Sequence, residues 1–162
     1  MAARKKAAKS KAKKPARRPA ARKAKAPKRA SRRQPETLRL RDVSAGLTVN
    51  DIDASIAWYR DVLGCVVQET WTSEGKVQGA AMRTGNATIY LGQDDWKKGR
   101  DRRKGEGVRF YCTTVQKVDT LAAQMKSRGA QLTHEPTTQS WGVRDFGVID
   151  PDGYRITVQS RL

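Results

Sequence analysis

From Gly46 the apolar positions first alternate and then step at helical spacing. Leu47 and Val49 are separated by polar neighbours, as in a strand with one buried face. Ile52, Ile56, Tyr59 and Leu63 then form one stripe of a helix. Asp51 is placed to cap its first turn, and Gly64 stands where a helix end favours positive φ. The pattern returns over Phe110–Ala130, a strand followed by a helix carrying Val118, Leu121, Ala122 and Met125. At an offset of 66 positions Val49 aligns with Val115, Ile52 with Val118 and Asp53 with Asp119, the second helix reading one residue shorter.

Strand patterns fill the intervals. Residues 65–72, 76–83 and 86–91 follow the first helix, with turns at 73–75 and at Thr84-Gly85. The second unit reads as strand 108–115, helix 116–128, a strand near 130–134, a long loop, and a closing pair at 141–149 and 154–160. Asp150-Pro151-Asp152-Gly153 between the last two suits a type I turn. Both halves read βαβββ, so the expected class is α+β with a duplicated module. The modules cover about 40–92 and 107–162 of a domain spanning 37–162. The charged, glycine-bearing linker 93–106 between them is expected to be exposed, mobile chain.

Charge changes the picture at the N-terminus. The net charge is +18, and residues 1–33 hold sixteen of the 34 Lys and Arg with no acid. The remaining eighteen basic residues face all sixteen acids, so the rest of the chain carries only +2. The stretch 1–36 has no aliphatic side chain larger than Ala after Met1, and Pro15, Pro19 and Pro27 interrupt any helix. It is expected to be disordered, because it cannot bury enough apolar surface to offset its ordering entropy. It has no apolar stretch of the kind a secretory signal requires, no amphipathic face for an organelle transit peptide, and no membrane span. Its expected partner is nucleic acid, bound without sequence reading through Lys5, Lys6, Lys13, Lys14, Arg17, Arg18, Arg22, Lys23, Lys28, Arg29, Arg32 and Arg33. DNA and RNA are not distinguished, and a purely solubilising extension is the alternative. In composition, repeats such as KKAAKSKAKKPA resemble the tails of linker histones and histone-like bacterial proteins.

The stretch LTVNDIDASIAWYRDVLG, with WGVRDFGVIDPDGYRITVQ near the C-terminus, resembles the vicinal oxygen chelate superfamily. That group includes glyoxalase I, extradiol dioxygenases and bleomycin-resistance proteins. The resemblance covers roughly residues 40–162. It implies that each module curls into a half-open sheet, that two modules enclose a crevice, and that the chain forms a homodimer. Its enzymes hold a divalent metal with four His, Glu or Gln side chains. The matching positions here are Ser44, Tyr90, Phe110 and Thr157, with an uncertainty of one residue at Phe110. None is an imidazole or a carboxylate, so neither metal nor other cofactor is expected.

The expected crevice lining is Ser44, Tyr90, Phe110, Trp141, Thr157 and Gln159, with Trp71 and Trp96 as looser members. Such a lining suits a flat aromatic or amphipathic small molecule. Cys112 is expected to face the crevice and Cys65 to be a buried thiol, in a reducing cytosol. His134 is read as a surface partner of Glu135. Three functions remain open from the sequence. One is a metal-free, bleomycin-resistance-like binding module localised on nucleic acid. Another is an enzyme with a non-standard site at Arg109, His134 or Cys112, and the last is a structural dimer.

Overall fold

The computed structural model describes Leu38 and residues 40–162. The twelve cationic residues assigned to nucleic acid lie outside the described residues. The first module comprises β1 (Ala45–Val49), α1 (Ile52–Asp61), β2 (Val66–Ser73), β3 (Lys76–Thr84) and β4 (Ala87–Gln93). The second comprises β5 (Arg109–Thr113), α2 (Val118–Ser127), β6 (Gln131–Thr138), β7 (Val143–Ile149) and β8 (Arg155–Arg161). Each forms a mixed four-stranded sheet, in the orders β1-β4-β3-β2 and β5-β8-β7-β6. The first strand of each module runs parallel to the last, and all other pairs are antiparallel. This is the duplicated βαβββ, α+β architecture that the alternation predicts.

Each helix covers one face of its own sheet. Asp51 caps α1 by accepting from the Ala54 amide at 3.0 Å. The buried side of α1 is Ile52, Ser55 and Tyr59, with Ile56 and Leu63 packed at its border. Gly64 takes φ +86 beyond the helix end. On α2 the buried residues are Val118, Ala122 and Met125. Arg144 on β7 ties this helix down with two hydrogen bonds to Asp119, at 2.6 and 2.7 Å.

The modules are joined by the Asp-Pro-Asp-Gly turn. The Tyr59 hydroxyl donates to Asp150 at 2.9 Å, and the Ser55 hydroxyl donates to Asp152 at 3.2 Å. The Asn50 amide also donates to Asp152, and the Tyr154 hydroxyl donates to the Thr48 carbonyl. The amides of Asp152 and Tyr154 complete the shell of Asp150. Burial pushes the Asp150 carboxyl above its usual value and the Tyr59 phenol well above its own. One apolar core continues across this joint, from Leu47, Val49, Met82 and Leu91 to Phe146, Val148, Ile156 and Val158.

Four local expectations are corrected. Val115 is fully exposed in the connection after β5, whereas Val49 is buried at the end of β1. Four residues join β5 to α2 where two join β1 to α1, so an offset that aligns the helices misaligns the strands. Both helices are ten residues long. Strand β6 runs to Thr138 rather than stopping near 134. It is an edge strand, and Pro136 falls in its irregular stretch between His134 and Thr137, where a missing N–H breaks no ladder bond. Finally, the linker is no free chain. Buried Asp94 accepts from Arg102 and Lys104, each at 2.8 Å, and from the Trp96 amide. Lys104 is itself buried and also bonds Asn50.

Candidate functional site

The sheet faces not covered by the helices carry the chemistry. On the first sheet, strand pairing sets Glu69 beside Ala81, Trp71 beside Gly79, and Tyr90 beside both Ala81 and Gly46. Gly79 is in turn beside Gly92. The Trp71 ring lies over Gly79, since a Cβ added there would stand 2.9 Å from a ring carbon. Its centroid is 6.1 Å from that of Tyr90, at an interplanar angle of 37°. Nothing lies within 4 Å of a Cβ added at Gly46. The result is a half-exposed aromatic pair beside an open strip of backbone, where a flat molecule can stack and approach closely.

On the second sheet the corresponding face is polar. Asp145 is buried, and one of its oxygens accepts from Gln139 at 2.8 Å and meets His134 Nε2 at 3.2 Å. With the proton on Nε2, that contact leaves Nδ1 as an acceptor. The imidazole lies over Gly147, as Trp71 lies over Gly79. Thr157 pairs with Gly147 on one side and Tyr111 on the other, and Gln159 donates to Thr113 at 3.2 Å. Thr113, Trp141, Gly142, Val143, Gln159 and Arg161 enclose a cavity of about 370 Å³.

The six crevice residues named from sequence therefore divide. Tyr90 lies on the open face of the first sheet, and Ser44 immediately precedes β1. Trp141 and Gln159 share the cavity of the second module, and Thr157 is buried on that module's open face. Phe110 is misplaced. It packs on the helix side against the core, its ring 6.3 Å from that of Tyr154, and Tyr111 occupies the open side. Cys112 turns the same way as Phe110, so it does not face the crevice. Burial pushes the Cys112 thiol up and the Cys65 thiol to about 11, which makes both poor nucleophiles. The cause is the register of β5, one residue out of phase with the internal repeat.

His134 also departs from its reading. Its partner is Asp145, while Glu135 pairs with Lys126 at 2.7 Å. Asp145 was not among the residues singled out from the sequence. Only the pairing of β6 with β7 brings it to His134, and no spacing in the sequence announces that. Trp96, at φ +58, has Arg100 and Lys104 over its ring, each 4.6 Å from the centroid.

The divalent metal of the resembled enzymes does not fit this donor set. The matching positions offer the hydroxyls of Ser44, Tyr90 and Thr157 together with Phe110, or Tyr111 with the corrected register. Among the described residues no three His, Cys, Asp or Glu converge on one point.

No curated protein matches the sequence. Solved structures do. TioX from Micromonospora sp. ML1 superposes at a TM-score of 0.62 with 18% identity, over 75% of this chain and 100% of that one. A glyoxalase/bleomycin resistance protein/dioxygenase from Nocardioides gives 0.61 at 17%, over 78% and 87%. A protein of unknown function from Agrobacterium tumefaciens str. C58 gives 0.61 at 25%, over 78% and 98%. These are likenesses of fold. The family model of the Glyoxalase/Bleomycin resistance protein/Dioxygenase superfamily matches residues 42–158, most of the sequence and nearly all of both modules, and the chain belongs to that superfamily.

Proposed function

We propose that this chain is a small-molecule-binding domain that works without a divalent metal and is held on nucleic acid by its basic N-terminal segment. The observation that carries the reading is the Trp71–Tyr90 pair standing over the glycine strip of the first sheet. A flat aromatic or amphipathic ligand of the bleomycin type gains stacking there, and the hydrogen-bonding groups of the second sheet orient its polar end. Two copies of the chain, one sheet from each, would enclose such a ligand. The sixteen cations of residues 1–33 would supply a nonspecific hold on phosphate backbone, and on this reading the domain works beside nucleic acid in the cytoplasm.

Tryptophan fluorescence tests the ligand part. Titration with flat aromatic compounds, bleomycin-type drugs included, should give saturable quenching without metal, and Trp71→Ala should weaken it at least tenfold. A response that needs an added divalent ion defeats the reading. For the tail, the affinity of the full chain for duplex DNA should fall with salt at a log–log slope of roughly −9 if about ten phosphates are engaged. A chain starting at residue 37 should lose most of that slope.

A second reading has one observation in its favour. Buried Asp145 meets His134 Nε2, and with the proton on that nitrogen the other is an acceptor, the arrangement of a general base. Turnover without added metal that His134→Gln abolishes, while ligand quenching persists, would select an enzyme over a binder.

A further inference from the structure

We infer that the cleft between the 102–109 segment and the Asp-Pro-Asp-Gly turn binds a phosphate-bearing anion, at the end of the second sheet where Arg109 and Arg155 precede Tyr111 and Thr157 on the open face. The cleft has a volume of about 770 Å³. Arg109 and Arg155 both line it and are in-register neighbours on the parallel strands β5 and β8. Both are exposed, and among the described residues neither has an ion pair. Like charges directly across a strand pair repel, so this pair is at its best with an anion between the two guanidiniums. Arg103 joins them from the facing segment, and its one carboxylate, exposed Glu106, stands 3.8 Å away.

The other acids nearby are already engaged. Asp94 is taken by Arg102 and Lys104, and Asp152 by Asn50 and Ser55. Arg102, Arg103, Lys104, Arg109 and Arg155 face Asp94, Glu106 and Asp152, the last bonded only to neutral groups. This leaves two positive charges unmatched, which suits a dianion or two phosphodiesters. Arg102, also on the cleft wall, has a buried Nε that lacks any acceptor among the described residues. The wall is built rather than loose. A Cβ added at Gly105 would run into the backbone of Gly153, so the segment lies directly against the turn. Planar guanidiniums that can chelate oxygen pairs favour phosphate over a single point charge.

Two sources could supply the phosphate, a small phosphate ester or the nucleic-acid backbone, and one pair of proteins separates them. The full chain and its Arg109→Gln/Arg155→Gln double variant are melted with inorganic pyrophosphate and with sodium chloride at matched ionic strength. The same two proteins are titrated with duplex DNA across a salt series. Pyrophosphate at ten times its dissociation constant should raise the wild-type midpoint by about 5 °C and leave the variant unmoved. Without anion the variant should melt no lower than wild type, because it loses a repulsion. A salt slope shallower by about 2 in the variant assigns the site to nucleic-acid backbone. A pyrophosphate shift with an unchanged slope assigns it to a small ligand. Equal pyrophosphate responses, or none, together with equal DNA slopes overturn the proposal. Arg103→Gln, on an exposed side chain, carries the same comparison should the double variant fail to fold.

Discussion

Gly79 and Gly147 hold the rings that edge the two open faces. Neither takes a positive φ, so the need for glycine there is one of space. A methyl group at 79 would press on both the Trp71 ring and the Leu91 carbonyl, and one at 147 on Thr133 and His134. Each Gly→Ala change should cost about 1–3 kcal/mol in denaturant unfolding, as overpacking does. Gly79→Ala should also red-shift the tryptophan emission as Trp71 is displaced, and Gly147→Ala should leave that emission unchanged. Tyr59 makes a different kind of prediction, because its hydroxyl bridges the modules. Tyr59→Phe leaves the apolar contacts but removes a donor from buried Asp150. Unfolding free energy should fall by about 1–3 kcal/mol, with the fold retained by circular dichroism.

The 93–107 segment shows what an element owes to one buried charge. Lys104 foremost, with the Trp96 amide and Arg102, holds the Asp94 carboxyl well below the usual carboxylate range, against its burial. A carboxyl titrating lower in the folded than in the unfolded chain contributes fully above its unfolded pKa of about 3.9, and that contribution is lost as the pH falls. Asp94→Asn should therefore be less stable than wild type at pH 7, and the gap should narrow below about pH 4. A gap independent of pH would assign the cost to packing alone. The segment's composition reads as solvated loop because the side chains that order it lie eight and ten residues from Asp94, at no motif spacing. Helices and most strands were legible because their signal is local: a capping Asp51, an apolar stripe, the turn at 150–153. The bulged edge strand β6 was not, since pairing with β7 and not propensity carries Pro136 through it. The face of β5 was lost for a related reason. Pairing with β8 sets Tyr111 where pairing with β4 sets Gly46, an offset of 65 against 66 for the helices, and a helix-based alignment then puts Phe110 and Cys112 on the wrong side. The aromatic half of the candidate site, Tyr90 and Trp71, could be named from the sequence, whereas the His134–Asp145 contact depends on bulged cross-strand register.

At the scale of the molecule, the helices cover one face of each sheet and leave the other bare. Trp71, Tyr90, Tyr111 and Trp141 are 40–67% exposed, a large aromatic area for a lone chain to show to water. Two copies, each setting a sheet against the partner's, would cover these residues and close both open faces into crevices. Sedimentation should accordingly give a dimer at micromolar concentration. If folding and pairing are coupled, each tenfold dilution should lower the stability by about 1.4 kcal/mol and the melting midpoint with it. Tyr111→Glu places a charge on the open side of β5 without touching the core. It should yield a monomer whose midpoint no longer depends on concentration, while far-ultraviolet dichroism stays that of wild type. Loss of aromatic-ligand quenching in that monomer would show that the crevice is assembled between chains. Retained affinity would place the whole site on one sheet, with the Trp71–Tyr90 pair and the glycine strip sufficient for binding.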